Sequence, residues 1–364
     1  MIPLFSAERA NKDIDLVQPL KRVAESHWYV LGKEVQGFEA EFAAYTGVEH
    51  CISVANGSDA LEIALRGLGV KPGDRVVTVA NAGFYGSTAI HAIGATPLYV
   101  DVDPKTLTLC PRALAGAVDS KPAAVIATHL YGQLTDIEEV ARICRAADIP
   151  LVEDCAQAHG ARRAGKRAGS FGTVSCFSFY PTKNLGALGD GGAVLTSEAA
   201  LADTLRKLRQ YGWTSKYEVT APGGRNSRLD ELQAAVLRAK LPLLDGWNAQ
   251  RRAIARQYSA AFERLPLQLP PSLGDDYVAH LYVVRTEERP ALMQALKQSG
   301  VGADIHYPIP DHRQPAYPQS SAAALPATEA ACGSVMSLPC FPGMTQDEVA
   351  QVIAAVTDFF STRR

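Results

Sequence analysis

Between residue 38 and about residue 200 the chain alternates short, β-rich apolar runs with stretches of helical spacing, and this alternation limits the fold more than any other feature. Strands are expected at 51–55, 76–80, 98–102, 123–128, 151–153, 174–179 and 192–196. The spacing predicts helices over 58–68, 87–94 and 136–147; in the first of these Ala60, Leu61, Ala64, Leu65 and Leu68 share a face. Strands separated by helices of this length imply an α/β fold with a mostly parallel sheet covered on both faces. The pattern changes after about residue 228. Helices are expected at 229–241 and 247–265, parted by Pro242, followed by a proline-rich stretch, a strand at 279–285, a helix at 290–299 and a long irregular segment over 307–323. At 364 residues the chain is too long for one small core, and it divides into a large domain, 1–240, and a smaller C-terminal α+β domain, 241–364.

The net charge of −2 offers no concentrated basic face for a nucleic-acid backbone. Arg206, Lys207 and Arg209 read as the solvated face of a helix, and 162–167 as a polar turn. No apolar stretch approaches the length of a membrane span, and the N-terminus has no secretory leader pattern. The seven cysteines are scattered, odd in number and without a Cys-x-x-Cys pair. A reducing, cytoplasmic setting is therefore expected, with neither a disulfide framework nor a zinc site. His306 and His312 are separated by Pro308 and Pro310 and lack a carboxylate at metal-site spacing, so substrate contact is the better reading of that segment.

Two segments carry chemistry. Lys183 sits in Ser178-Phe-Tyr-Pro-Thr-Lys-Asn-Leu-Gly186, and the apolar run Pro150-Leu-Val-Glu-Asp154 ends in an acid about thirty residues upstream. A lysine amine forms a Schiff base with a carbonyl cofactor, and a buried carboxylate is the partner a pyridinium nitrogen needs. Together they read as the core of a pyridoxal phosphate site. Asn56-Gly57-Ser58-Asp59-Ala60 lies where a strand turns into a helix, so its free N–H groups and the helix dipole can receive a phosphate. Two other phosphate patterns fail: 160–166 matches Gly-x-x-x-x-Gly-Lys but continues with Arg167, and the 67–73 glycines miss the dinucleotide spacing by one residue. His159, just beyond Asp154 and Gln157, is expected to be a structural hydrogen-bonder near the cofactor.

These segments resemble the DegT/DnrJ/EryC1/StrS family of PLP-dependent nucleotide-sugar aminotransferases, and the likeness runs nearly end to end. Matching stretches include Tyr29-Val-Leu-Gly32, Asn56-Gly-Ser-Asp-Ala60, His129-Leu-Tyr-Gly132, Glu153-Asp-Cys-Ala-Gln-Ala-His159, the Lys183 segment, Asn226-Ser-Arg-Leu-Asp230 and His306-Tyr-Pro-Ile-Pro310. The resemblance implies the PLP-dependent transferase fold type I of the aspartate aminotransferase superfamily, in a homodimer with shared active sites. It makes Lys183 the Schiff-base lysine and Asp154 the partner of the ring nitrogen. It gives Gln157 the phenolic oxygen, Gly57, Ser58 and Ser178 the phosphate, and Asn226 a reach into the partner's site. The chain departs from the family where Ser227 follows Asn226 in place of a common tyrosine, and where Gly83 stands at the position of the ring stacked on the cofactor. Phe84 is the preferred stacking ring, with Tyr85 as the alternative.

The reaction implied is transfer of an amino group from L-glutamate to a nucleotide-linked keto sugar. The segment from His306 and Tyr307 to His312 resembles that of enzymes aminating a 3-keto position, which favours a dTDP-linked 3-keto-6-deoxyhexose over a 4-keto sugar. The product would be an amino sugar for a surface polysaccharide, such as a lipopolysaccharide O-antigen, or for a glycosylated metabolite. Rival readings are a PLP-binding regulator without turnover and a lyase or racemase on the same scaffold.

Overall fold

The computed structural model describes residues 1–362. A seven-stranded sheet is formed by β1 (His50–Val54), β2 (Arg75–Thr78), β3 (Thr96–Tyr99), β4 (Ala124–Thr128), β5 (Leu151–Asp154), β6 (Val174–Ser178) and β7 (Gly192–Thr196), in the order β1-β7-β6-β5-β4-β2-β3. Neighbours run parallel except at β7, which is antiparallel to both β1 and β6. Alternate residues of each strand enter different cores, as the two-residue period of a strand requires. Val152, Val174 and Cys176 pack with the helices Gly57–Gly67 and Ala199–Leu208. Phe177 lies on the other face, with Phe38 and Phe42 of the helix Lys33–Thr46. Burial on both faces explains why these strands read as continuous apolar runs.

The third strand begins two residues earlier than expected, at Thr96, and ends at Tyr99. Val100 and Val102 are still buried, but the chain has left the ladder there and Val102 bridges back to Leu109. Their apolar character reports burial rather than pairing. The basic cluster also divides differently: Arg209 is buried and donates to Glu39 and to the Ser53 carbonyl, while Arg206 stays exposed. The stretch that mimics a phosphate loop is a small hairpin, Arg162–Arg163 against Lys166–Arg167.

A further apolar core lies around β8 (Tyr282–Arg285) and β9 (Val335–Leu338), an antiparallel pair packed with the helices Leu244–Phe262, Arg289–Gln298 and Gln346–Ser361. Ile2 belongs to the same core. Among the described residues no helix is long and apolar enough to cross a membrane. The carboxyl ends of β4, β5 and β6 bring Thr128, Asp154 and Ser178 to one edge of the sheet, where open α/β sheets bind ligands.

Candidate active site

A cavity of about 920 Å³ opens at that edge. It is lined by Gly57, Ser58, Tyr85, Asp154, Gln157, Ser178, Lys183, His306 and Tyr307, nine residues drawn from segments spread over 250 positions of sequence. Lys183 is held by its neighbours: its N–H donates to the Tyr180 carbonyl at 2.8 Å, and the adjacent Asn184 is pinned on both sides of its amide. Asn184 Nδ2 donates to Asn248 Oδ1 at 2.8 Å and to the Val278 carbonyl at 3.1 Å, and its Oδ1 meets His280 Nδ1 at 3.0 Å. Burial lowers the Lys183 pKa to about 8, against the opposing pull of Asp154.

Asp154, at the end of β5, is buried, and that burial raises its pKa above the ordinary carboxylate value. Its Oδ1 accepts from Ala156 N–H at 3.1 Å and its Oδ2 from the Thr128 hydroxyl at 3.3 Å. Such a carboxylate favours a cationic partner within the cavity, the demand that a protonated pyridine nitrogen meets. Gln157 is oriented by the Tyr131 N–H, which donates to its Oε1 at 2.6 Å, and its Nε2 donates to the Tyr307 hydroxyl at 3.1 Å.

Another part of the lining is formed where β1 passes into the helix Gly57–Gly67. Asn56 caps this helix, its Oδ1 accepting from Asp59 N–H at 2.8 Å. Gly57 lies so close to Ser178 that an added Cβ would stand 2.6 Å from the serine Cβ. This cradle, with the Ser58 and Ser178 hydroxyls beside the helix N-terminus, suits a phosphate. The donor set therefore fits pyridoxal phosphate: an amine, a buried acid and a phosphate pocket share one cavity.

Three expected residues lie elsewhere. Phe84 has φ +70°, which turns its ring away to His91 and Tyr317, at centroid distances of 6.0 and 5.1 Å. Tyr85, the alternative ring, lines the cavity, whereas Phe84 does not. His312 is buried with Nε2 3.0 Å from Glu329, outside the cavity lining. Asn226 is exposed and pairs through its backbone with Gln210. His159 is buried and packed against Phe177 and Phe179. Burial lowers its pKa to about 3, so it is neutral.

Sequence reasoning missed Thr128, Tyr180, Arg251 and His280, which also line the cavity. Arg251 gives no periodic signal; it is buried within a helix and donates to the carbonyls of Ala279, His280 and Cys340.

Comparison with known proteins agrees with this geometry. The profile of the DegT/DnrJ/EryC1/StrS aminotransferase family matches residues 11–357. The chain is 43% identical to the dTDP-3-amino-3,4,6-trideoxy-alpha-D-glucose transaminase of Streptomyces venezuelae, covering 98% of this chain and 96% of that one. It is also 43% identical to the dTDP-3-amino-3,6-dideoxy-alpha-D-galactopyranose transaminase of Aneurinibacillus thermoaerophilus, over 99% of each. The crystal structure of S. venezuelae DesV superposes with a TM-score of 0.95 at 42% identity, over 98% of both chains. A lysine, a buried acid and the Gly57–Ser178 cradle in one cavity, on a backbone matched from end to end, go with what the comparisons show: this chain is a member of the DegT/DnrJ/EryC1/StrS aminotransferase family, with pyridoxal phosphate as its cofactor.

Proposed function

We propose that the protein moves the amino group of L-glutamate to C3 of a dTDP-linked 3-keto-6-deoxyhexose. The observation that carries the chemistry is the burial of Lys183 and Asp154 in one cavity beside the Gly57–Ser178 cradle. The choice of sugar is supported by the two relatives at 43% identity, both named for dTDP-linked 3-amino sugars. A cavity of about 920 Å³ lies at the upper end of ordinary ligand sites, as a cofactor together with a nucleotide-linked sugar requires.

Gly57, Ser58 and Ser178 would hold the cofactor's phosphate, Asp154 its ring nitrogen, Gln157 its phenolic oxygen and Lys183 its aldehyde carbon, with Tyr85 against the ring face. When bound, pyridoxal phosphate supplies an electron-withdrawing ring that accepts the pair left as a bond to the donor's α-carbon breaks. Asp154 keeps the ring nitrogen protonated for that purpose. Lys183 Nζ, with a pKa lowered to about 8, is a base matched to neutral pH. It takes the proton from the α-carbon of glutamate and, in the return half of the cycle, delivers one to the sugar carbon that receives nitrogen. His306 and Tyr307 border the space left for the sugar.

The proposal includes a homodimer with shared sites, in which Asn226 reaches the partner's phosphate. Its support is the exposure of Asn226, together with solvent-facing Trp28, Tyr29, Tyr217 and Val219. It also includes the division into 1–240 and 241–364, supported by the separate core around β8 and β9, and a cytoplasmic location, supported by seven unpaired cysteines. The test is to incubate the holoenzyme with ¹⁵N-glutamate and a dTDP-3-keto-6-deoxyhexose. Labelled nitrogen at C3 of the sugar is the expected result, and 2-oxoglutarate without a labelled sugar overturns the assignment.

A further inference from the structure

The segment from His306 to Tyr317 forms a strap whose first residues, His306 and Tyr307, line the cavity and whose Asp311 grips the turn that carries Tyr85. The Asp311 N–H donates to the Ala80 carbonyl at 2.7 Å. Its side chain, 1% exposed, spends both oxygens on the same turn: Oδ1 accepts from Phe84 N–H at 3.0 Å, and Oδ2 from the Ser87 hydroxyl at 2.6 Å. Ser87 Oγ in turn accepts from the Tyr99 hydroxyl at 3.0 Å. Among the described residues no cation forms an ion pair with Asp311, so these neutral donors are what stabilise its buried charge.

The turn needs such a grip. Gly83 has φ +77° and Phe84 φ +70°, and a bulky residue in the left-handed region is held there only when its surroundings over-determine it. Asp311 takes the Phe84 amide in that geometry, while Tyr317 covers the Phe84 ring. Tyr307 of the same strap closes on Gly83, where an added Cβ would lie 2.8 Å from its ring. Tyr85 follows directly, as the first residue of the helix Tyr85–Ala92. It is 49% exposed, and its ring stands edge-on to Tyr307 at 6.2 Å. A half-exposed tyrosine in a cavity lining has many rotamers open to it, and the backbone direction of its turn decides which of them face the cavity.

We propose that Asp311 is a positioning residue whose carboxylate, by holding the Phe84 amide and the Ser87 hydroxyl, presents the Tyr85 ring to the bound cofactor. This rests on the reading of the cavity as a pyridoxal phosphate site. It assigns Asp311 no contact with the cofactor: the residue acts through Tyr85.

The test is a double-mutant cycle on cofactor affinity, read by titrating apoprotein with pyridoxal phosphate and following the visible band and its circular dichroism. Asp311→Ala is expected to raise Kd about tenfold and to weaken the visible dichroism, whereas in a Tyr85→Ala background the same change moves Kd less than about twofold. Asp311→Asn, which keeps an acceptor for the Phe84 amide, should recover most of the affinity. An equal loss in both backgrounds overturns the proposal, because Asp311 would then act without Tyr85. So does a folded Asp311→Ala protein that binds like wild type. If Asp311→Ala does not fold, Ser87→Ala removes one arm alone and is judged by the same cycle. A wild-type apoprotein that gains no visible band overturns the cofactor reading itself, and that outcome is distinct from a failed cycle.

Discussion

Gly57 and Ser178 approach so closely that a Cβ on the glycine would stand 2.6 Å from the serine Cβ and 3.2 Å from its backbone Cα. The contact joins the start of the helix Gly57–Gly67 to the end of β6, and it leaves no room for a methyl group without moving one of them. Gly57→Ala should therefore weaken cofactor binding about tenfold by displacing the amides at the head of the helix, where the proposed phosphate site lies. Helix propensity itself favours alanine, so the helix is not expected to unravel. Titration of the apoprotein with pyridoxal phosphate, beside a far-ultraviolet dichroism spectrum, checks this. An unchanged Kd would separate the cradle from the phosphate.

Burial brings the Lys183 amine to about 8, and the sign of the pH effect follows. Only the free amine attacks the cofactor's aldehyde. Covalent capture should thus accelerate about tenfold per pH unit below 8 and level off above it, whereas an ordinary lysine would keep accelerating to above pH 10. Borohydride trapping across pH 6–10 measures the curve. Lys183→Ala should take up pyridoxal phosphate without a trappable adduct and should not turn over. Substantial transaminase activity in that variant would remove Lys183 from the mechanism.

How much of this was legible depended on how local each signal is. Lys183 and Asp154 could be picked out as candidates because each sits in a distinctive local segment, and the strands because burial on both faces leaves an apolar run. The helix Lys33–Thr46 carries no local start signal: its N-cap is Gly32, and the amides of Gly32, Glu34 and Val35 are accepted by Glu231, about 200 positions away in sequence. Thr345 and Glu348 form a capping box at the head of the helix Gln346–Ser361, a local start signal present in the sequence although no helix was expected there. That Phe84 leaves the cavity lining while Tyr85 stays in it goes with a backbone angle at Phe84 that is held by Asp311, a tertiary fact that no spacing records.

Glu153 is the structural counterpart of Asp154, one residue earlier and on the opposite face of β5. Its carboxylate accepts from the N–H groups of Gly169, Phe171 and Gly172 at 2.9, 2.7 and 2.7 Å, and from His129 Nε2 at 3.0 Å. The histidine's tautomer follows, since its Nδ1 accepts from Thr135 N–H. Glu153→Ala would leave a buried amide at Gly169, two part-buried amides at Phe171 and Gly172 and an imidazole N–H without this acceptor, at a cost of roughly 3–5 kcal/mol. A lower urea midpoint is expected, with Glu153→Gln intermediate because it keeps one acceptor oxygen. An alanine variant as stable as wild type would show that the 169–172 loop finds other acceptors.

The proposed dimer makes the sharpest demand on Asn226, which is exposed here and absent from the lining of its own chain's cavity. If Asn226 completes the phosphate site of the partner, each site needs Lys183 from one subunit and Asn226 from the other. Lys183→Ala and Asn226→Ala proteins, each poorly active alone, should then recover activity after joint unfolding and refolding. A random mixture contains about half hybrid dimers, and each hybrid holds one intact site. The ceiling is therefore about a quarter of wild-type activity if both parents are silent. Recovery toward that value, with a light-scattering mass of two chains, supports the shared site. A mixture no more active than its parents would return Asn226 to a role within its own subunit, whatever the oligomeric state.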